Sequence, residues 1–165
     1  MRFAVDQPIG APRPAVESAF VDPAFYEALS VMPNIGRPEV LERVESDSMV
    51  HLRVHYAFTG SLARPARAIL DPARLTWVVE STIDRARHRT DFRMLPDHYP
   101  NRLQCHGTYQ LVSDGDGSTI QRMTGELTVR YPVVGRLAER GIVLGLKEHM
   151  GQEAEVMERW VKSQA

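Results

Sequence analysis

The chain has 165 residues, 43% hydrophobic and 25% charged, enough for one substantial core in a single domain spanning residues 1–165. Its 20 basic and 21 acidic residues leave a formal charge of −1, with the basic residues spread along the sequence, which argues against a nucleic-acid partner. A lone Cys105 excludes an internal disulfide framework, no signal-peptide start is seen, and no run of about eighteen apolar residues could cross a membrane. A cytoplasmic protein without a transmembrane segment is expected, with peripheral membrane contact left open.

From Arg2 to Ile9, Phe3, Val5 and Ile9 alternate with Arg2, Ala4 and Asp6, the period of a strand. Gly10, Pro12 and Pro14 break it, and Pro14 suits the first turn of a short helix ending near Phe20. A second short helix starts with Asp22 as N-cap and Pro23 at its first position, carries Phe25, Tyr26 and Leu29, and ends at Pro33, Asn34 and Gly36. Met49 to Phe58 gives the clearest strand, with Val50, Leu52, Val54, Tyr56 and Phe58 on one face. Glu39 to Glu45 is its hairpin partner, turned through Ser46, Asp47 and Ser48. Between Gly60 and Arg74 the pattern lapses, and Pro65 and Pro72 limit regular structure to a short turn around Ala66 to Leu70.

Further strands follow, each with a legible inner face. Leu75, Trp77, Val79 and Ile83 form the first, Thr90, Phe92 and Met94 the second, and Leu103, Cys105, Tyr109 and Leu111 the third. Asp114 to Gly117 make a turn, and the last strand sets Met123, Leu127, Val129 and Tyr131 against polar neighbours. Consecutive alternating strands on short turns imply an antiparallel meander, wet on its outer side.

From Pro132 onward nothing interrupts a helix of roughly 40 Å. Its expected apolar side gathers Val134, Ala138, Gly141, Ile142, Gly145, His149, Val156 and Trp160, widened by Leu146, Met150 and Met157. Gly141 and Gly145, each costing about 1 kcal/mol of helix propensity, are then expected on the buried side, for close packing or for room beside a ligand.

This order of elements resembles the START-like, or SRPBCC, helix-grip superfamily, which includes the Bet v 1-related plant allergens and the polyketide cyclases, and within it an uncharacterised bacterial family. The resemblance rests on Leu75-Thr76-Trp77-Val78-Val79-Glu80, Gly107-Thr108-Tyr109-Gln110-Leu111 before an Asp-Gly turn, Gly125-Glu126-Leu127-Thr128-Val129 leading into Tyr131-Pro132-Val133-Val134-Gly135, and Glu153 to Val161. It covers most of residues 1–163. It implies an α+β helix-grip fold, with a curved antiparallel sheet of six or seven strands wrapped around a long C-terminal helix and two short helices after strand one. It also implies a cavity between sheet and helix, whose wall would include Tyr56, Phe58, Trp77, Val79, Phe92, Met94, Tyr109, Met123 and Leu127, with Gly145, His149 and Trp160 on the helix. A fold alone does not fix a function.

His149 and Glu153 lie at i and i+4 on the helix, so the carboxylate can fix the imidazole as a base or as a ligand-orienting group. No His, Cys, Asp or Glu spacing matches a zinc pattern, Cys105 and His106 point to opposite faces of a strand, and no glycine pattern matches a phosphate or dinucleotide loop, so neither metal nor cofactor is expected. The favoured expectation is a noncatalytic carrier or sensor for a lipid-like or aromatic small molecule. The alternative is a polyketide cyclase/dehydratase-like enzyme using His149, Glu153 or an inner-face tyrosine for proton transfer. The polar outer strand faces suit a monomer or weak dimer.

Overall fold

In the computed structural model, which describes residues 1–62 and 64–165, strand β1 (Arg2–Ile9) leads into helices α1 (Arg13–Phe20) and α2 (Pro23–Ala28). The chain continues through β2 (Glu39–Ser46), β3 (Met49–Ala57), the single-turn α3 (Arg64–Arg67), β4 (Thr76–Asp84), β5 (Arg89–Pro96), β6 (Leu103–Ser113), β7 (Thr119–Val129) and α4 (Gly135–Gln164). The lapse expected over 60–74 holds only α3 and a 3₁₀ turn at Pro72–Arg74, with residue 63 outside the described residues.

Local signals account for most of these boundaries. Pro14 sits in the first turn of α1, and Asp22 caps α2 by accepting the Ala24 amide at 2.9 Å with Pro23 at the first helical position. Asp47, at φ 53°, makes the tight turn between β2 and β3. Phe58 departs from expectation: β3 stops at Ala57, and Phe58 instead forms an isolated bridge with Ile35.

The strands form one antiparallel sheet in the order β1-β7-β6-β5-β4-β3-β2, so β2 to β7 are a plain meander and β1 returns to close against β7. This antiparallel order puts the β2–β3, β4–β5 and β6–β7 turns at one end. The β3–β4 connector, the β5–β6 loop and the β7–α4 junction lie at the other, called here the open end. In the β6–β7 pair Gly107 faces Gly125 in register. A Cβ on Gly125 would lie 2.5 Å from the Phe3 ring, and one on Gly107 would strike the Thr124 carbonyl, so glycine is required at both positions for the strands and aromatic rings to close up.

Helix α4 differs from expectation in two ways. It begins at Gly135 rather than Pro132, because Val133 adopts φ 71° and breaks the helical path. Its buried residues are Gly135, Ala138, Met150, Ala154, Val156 and Met157, while Gly141 and Gly145 are exposed, with open space where a Cβ would project. The larger aliphatic side chains set the helix rotation, and the two glycines fall on its wet side rather than its buried side.

The interior divides into two clusters. One joins α1, α2, β3 and the C-terminal half of α4 through Val16, Phe25, Leu29, Val50, Leu52 and Met157, all essentially inaccessible. The other joins β1, β6, β7 and α4 through Phe3, Val5, Cys105, Met123, Leu127 and Met150. Tyr109 packs against both.

Candidate functional site

Among strands β3 to β7, β4 and β5 carry the least covered part of the inner face. Val50, Leu52 and Val54 on β3, and Met123 and Leu127 on β7, are buried. Trp77 and Val79 on β4, and Phe92 and Met94 on β5, are only half-buried although they point to the same side. The packing of α4 explains the difference, since the helix lies chiefly along β1 and β7 and its C-terminal half meets α1 and α2. Opposite the uncovered strands, Ile142, Leu146 and His149 of α4 are likewise half-buried. Phe92, Met94, Ile142 and Leu146 pack around the second cluster without being sealed into it, and this partly covered apolar strip is called here the groove.

Polar groups gather where the groove meets the packed core. Glu153 reaches inward from α4 with 13% of its side chain exposed, and its Oε2 lies 3.6 Å from Nε2 of His149, itself 28% exposed. Tyr26, Tyr56 and Tyr109 face the same region. Burial pushes all three phenols well above their ordinary pKa, and the negative charge of Glu153 adds to the shift in each. Tyr26 donates to the Phe20 carbonyl at 2.8 Å, and Tyr109 is hydrogen-bonded to Thr90. Beside Tyr109, between α1 and β4–β6, a cavity of about 10 Å³ remains, about the minimum for one water.

The residues expected at the cavity wall separate into three groups. Trp77, Val79, Phe92, Met94, Tyr109 and His149 line the groove, and Tyr56 stands at its edge, stacked on Trp77 at 5.9 Å. Met123 and Leu127 are sealed into the second cluster, and Trp160 packs edge-on to Phe25 at 6.1 Å. Gly145 faces water. Sequence reasoning assigned Tyr26 no place in this cluster, although its position beside Phe25 in α2 marks it as inward-facing.

Several of the other titratable side chains pair with one another at the surface. His55 pairs with Asp97 at 2.7 Å and His88 with Glu17 at 2.5 Å, while Arg85, Arg87, Arg89 and Arg93 pair with Glu45, Asp84, Asp91 and Glu80. Burial raises the Cys105 thiol to about 11, as suits a small apolar core residue.

Comparison with solved structures places this architecture. A protein from Thermus thermophilus, TTHA0849, superposes with a TM-score of 0.70 at 14% identity, covering 100% of this chain and 99% of its own. The Zhui aromatase/cyclase from Streptomyces sp. R1128 matches with a TM-score of 0.65 at 14% identity, over 98% of this chain and 93% of its own. Norcoclaurine synthase from Thalictrum flavum, solved with dopamine and hydroxybenzaldehyde, matches with a TM-score of 0.66 at 13% identity, over 100% of this chain and 88% of its own. At these identities the likeness shows a shared helix-grip fold and nothing finer. No curated protein sequence matches the chain. A family model described as a protein of unknown function, DUF2505, matches residues 4–161, and the chain belongs to that family.

Proposed function

We propose that the protein binds a small, largely apolar molecule carrying one hydrogen-bonding group, held without chemical change between the inner face of β4–β6 and α4. The observation that carries this reading is the uncovered inner face. Trp77, Val79, Phe92 and Met94 are only partly covered, as are Ile142 and Leu146, at a sacrifice of stabilisation of roughly 25 cal/mol for each Å² left in water. A largely covered carboxylate amid three phenols suits a site that orients a polar group on an otherwise apolar guest. Crystallographic binding of two small aromatic molecules by norcoclaurine synthase, on the same fold, supports an aromatic guest.

A carrier fits the polar cluster better than a proton-transfer enzyme does. General acids and bases work best with a pKa near the working pH, and the phenols here are displaced further above it. His149 and Glu153 lie close enough to pair with each other.

Native mass spectrometry of freshly purified protein, with organic extraction of any added mass, tests the reading. A discrete apolar adduct is expected, and Glu153→Gln should weaken its retention by about 10-fold or more, the worth of a charge-assisted hydrogen bond, without lowering the thermal midpoint. Apo mass alone, together with no thermal stabilisation by any apolar aromatic compound offered, would sink the proposal. Chemical conversion of the bound molecule that stops in His149→Ala while binding persists would replace the carrier by an enzyme.

A further inference from the structure

Two groups of arginines differ in their partners. Five on the outer sheet face are matched with acids: Arg43 with Glu45, Arg53 and Arg93 with Glu80, Arg89 with Asp91, Arg122 with Asp6. Those at the open end, Arg64, Arg67, Arg74, Arg102, Arg130 and Arg136, are all exposed, and among the described residues none of them is ion-paired.

Contacts among the loops draw these arginines to one end of the molecule. The Arg74 guanidinium lies 5.3 Å over the Tyr99 ring and that of Arg102 lies 4.5 Å over the Tyr131 ring. Tyr99 accepts the Asp71 amide at 3.2 Å, Tyr131 donates to the Ile69 carbonyl at 3.4 Å, and the Arg130 amide donates to the Arg102 carbonyl at 2.8 Å. The acids nearby are committed: Asp71 caps a turn, Asp97 pairs with His55, and Glu139 accepts the Val129 amide at 2.9 Å. A chain of formal charge −1 thus has one end with a local excess of positive charge.

The same end also exposes apolar side chains. Val133 is 100% exposed and Leu137 53% exposed. Val133 moreover holds φ 71°, a conformation that a β-branched residue adopts only at a cost, so nothing within the chain rewards its placement. An aliphatic tip ringed by unpaired arginines matches the two-part chemistry of an anionic lipid surface, with an apolar layer below and phosphate and carboxylate groups around it. A nucleic acid would reward the arginines but not the aliphatic tip, and a protein partner would require a flatter apolar patch.

We propose that the open end docks onto an anionic lipid bilayer, with Val133 and Leu137 entering the headgroup layer and the surrounding arginines meeting the lipid charges. This docking is independent of the proposed ligand groove, and either can fail without the other.

Cosedimentation of the full chain with phosphatidylcholine vesicles, with and without phosphatidylserine, tests it. Binding is expected to the mixed vesicles at ~0.1 M salt, to fade at several times that concentration, and to be absent on phosphatidylcholine alone. Arg130→Gln with Arg136→Gln should lower the partition by about 30-fold, and Val133→Asn by about 5- to 10-fold. Asn tolerates positive φ, so that variant should keep or gain thermal stability and its loss of binding cannot be ascribed to unfolding. Arg89→Gln on the outer face is the control and should change nothing. No binding to the mixed vesicles overturns the proposal, as does an equal loss in Arg89→Gln. Vesicle binding that Val133→Asn leaves unchanged, with heparin competing fully, would mean a general polyanion patch and also overturns it. A concentration-dependent dimer abolished by Val133→Asn, without vesicle binding, would assign the tip to a second copy of the chain and overturns it too.

Discussion

The two halves of the interior are built from similar residues and covered very differently. Around α1 and α2 the inner face is sealed: Phe25 is 0% exposed and meets Phe20, Tyr26 and Trp160 at ring separations of 5.7 to 6.1 Å. Along β4 and β5, Trp77, Val79, Phe92 and Met94 are no less apolar, yet they pack only at the margins of the two clusters and stay partly open. Side-chain type therefore does not separate core from groove in this molecule, and the path of the helices does. The contrast can be broken experimentally. Phe25→Ala should cost about 3–5 kcal/mol in denaturant unfolding, the range for a fully buried ring, while Phe92→Ala should cost less, roughly 2 kcal/mol, because its ring is only partly covered. Equal losses would mean that the groove is ordinary core.

A second test uses the groups that both halves keep protonated. Tyr26, Tyr56 and Tyr109 are all raised by burial, and Cys105 is raised by burial from 9.0 to about 11. Each binds its proton more tightly folded than unfolded, so stability is complete below about pH 9 and is lost as pH rises through the folded values. Cys105 alone should account for a loss on the order of 2 kcal/mol between pH 9 and 11. Unfolding followed across that range should show the decline, and a flat profile would mean that the thiol and phenols are open to water. The smallest effect belongs to the outside of α4. Gly141→Ala and Gly145→Ala meet nothing within 4 Å and should each stabilise by about 0.5–1 kcal/mol, provided no partner needs the exposed helix face.

The fold was largely legible because its signals are local. Period-two alternation from Met49 onward, the Asp22-Pro23 start of α2 and the Asp-Gly turn before β7 each depend on residues a few positions apart. The i, i+4 spacing of His149 and Glu153 likewise brought them together. What escaped depends on tertiary competition. The rotation of α4 follows from which of its apolar residues find partners, so Ala138, Met150, Val156 and Met157 are buried as expected while Gly141 and Gly145, counted with them, face water. Tyr26 joins the polar cluster only because α2 folds back beneath β3 and α4. The basic end was invisible for the same reason: Arg64, Arg102 and Arg136 look scattered in sequence, and only the antiparallel order of the sheet brings their three connections to one end.

The sheet does not close on itself, and β1 and β2 remain at its margins. Strand β2 is exposed along almost its whole length on both faces, including Leu41 and Val44, so its unpaired backbone would be a ready template for another chain. Its charges and shape oppose that outcome. Glu39, Glu42 and Glu45 place like charges along the strand, Arg43 is tied back to the Val21 carbonyl at 2.7 Å, and an irregularity between Val40 and Glu42 breaks the regular spacing that a copy would have to match. At the far margin, Pro8 of β1 withholds an amide. The half-covered inner face is thus carried on a sheet whose edges resist the strand-to-strand growth that leads to aggregates.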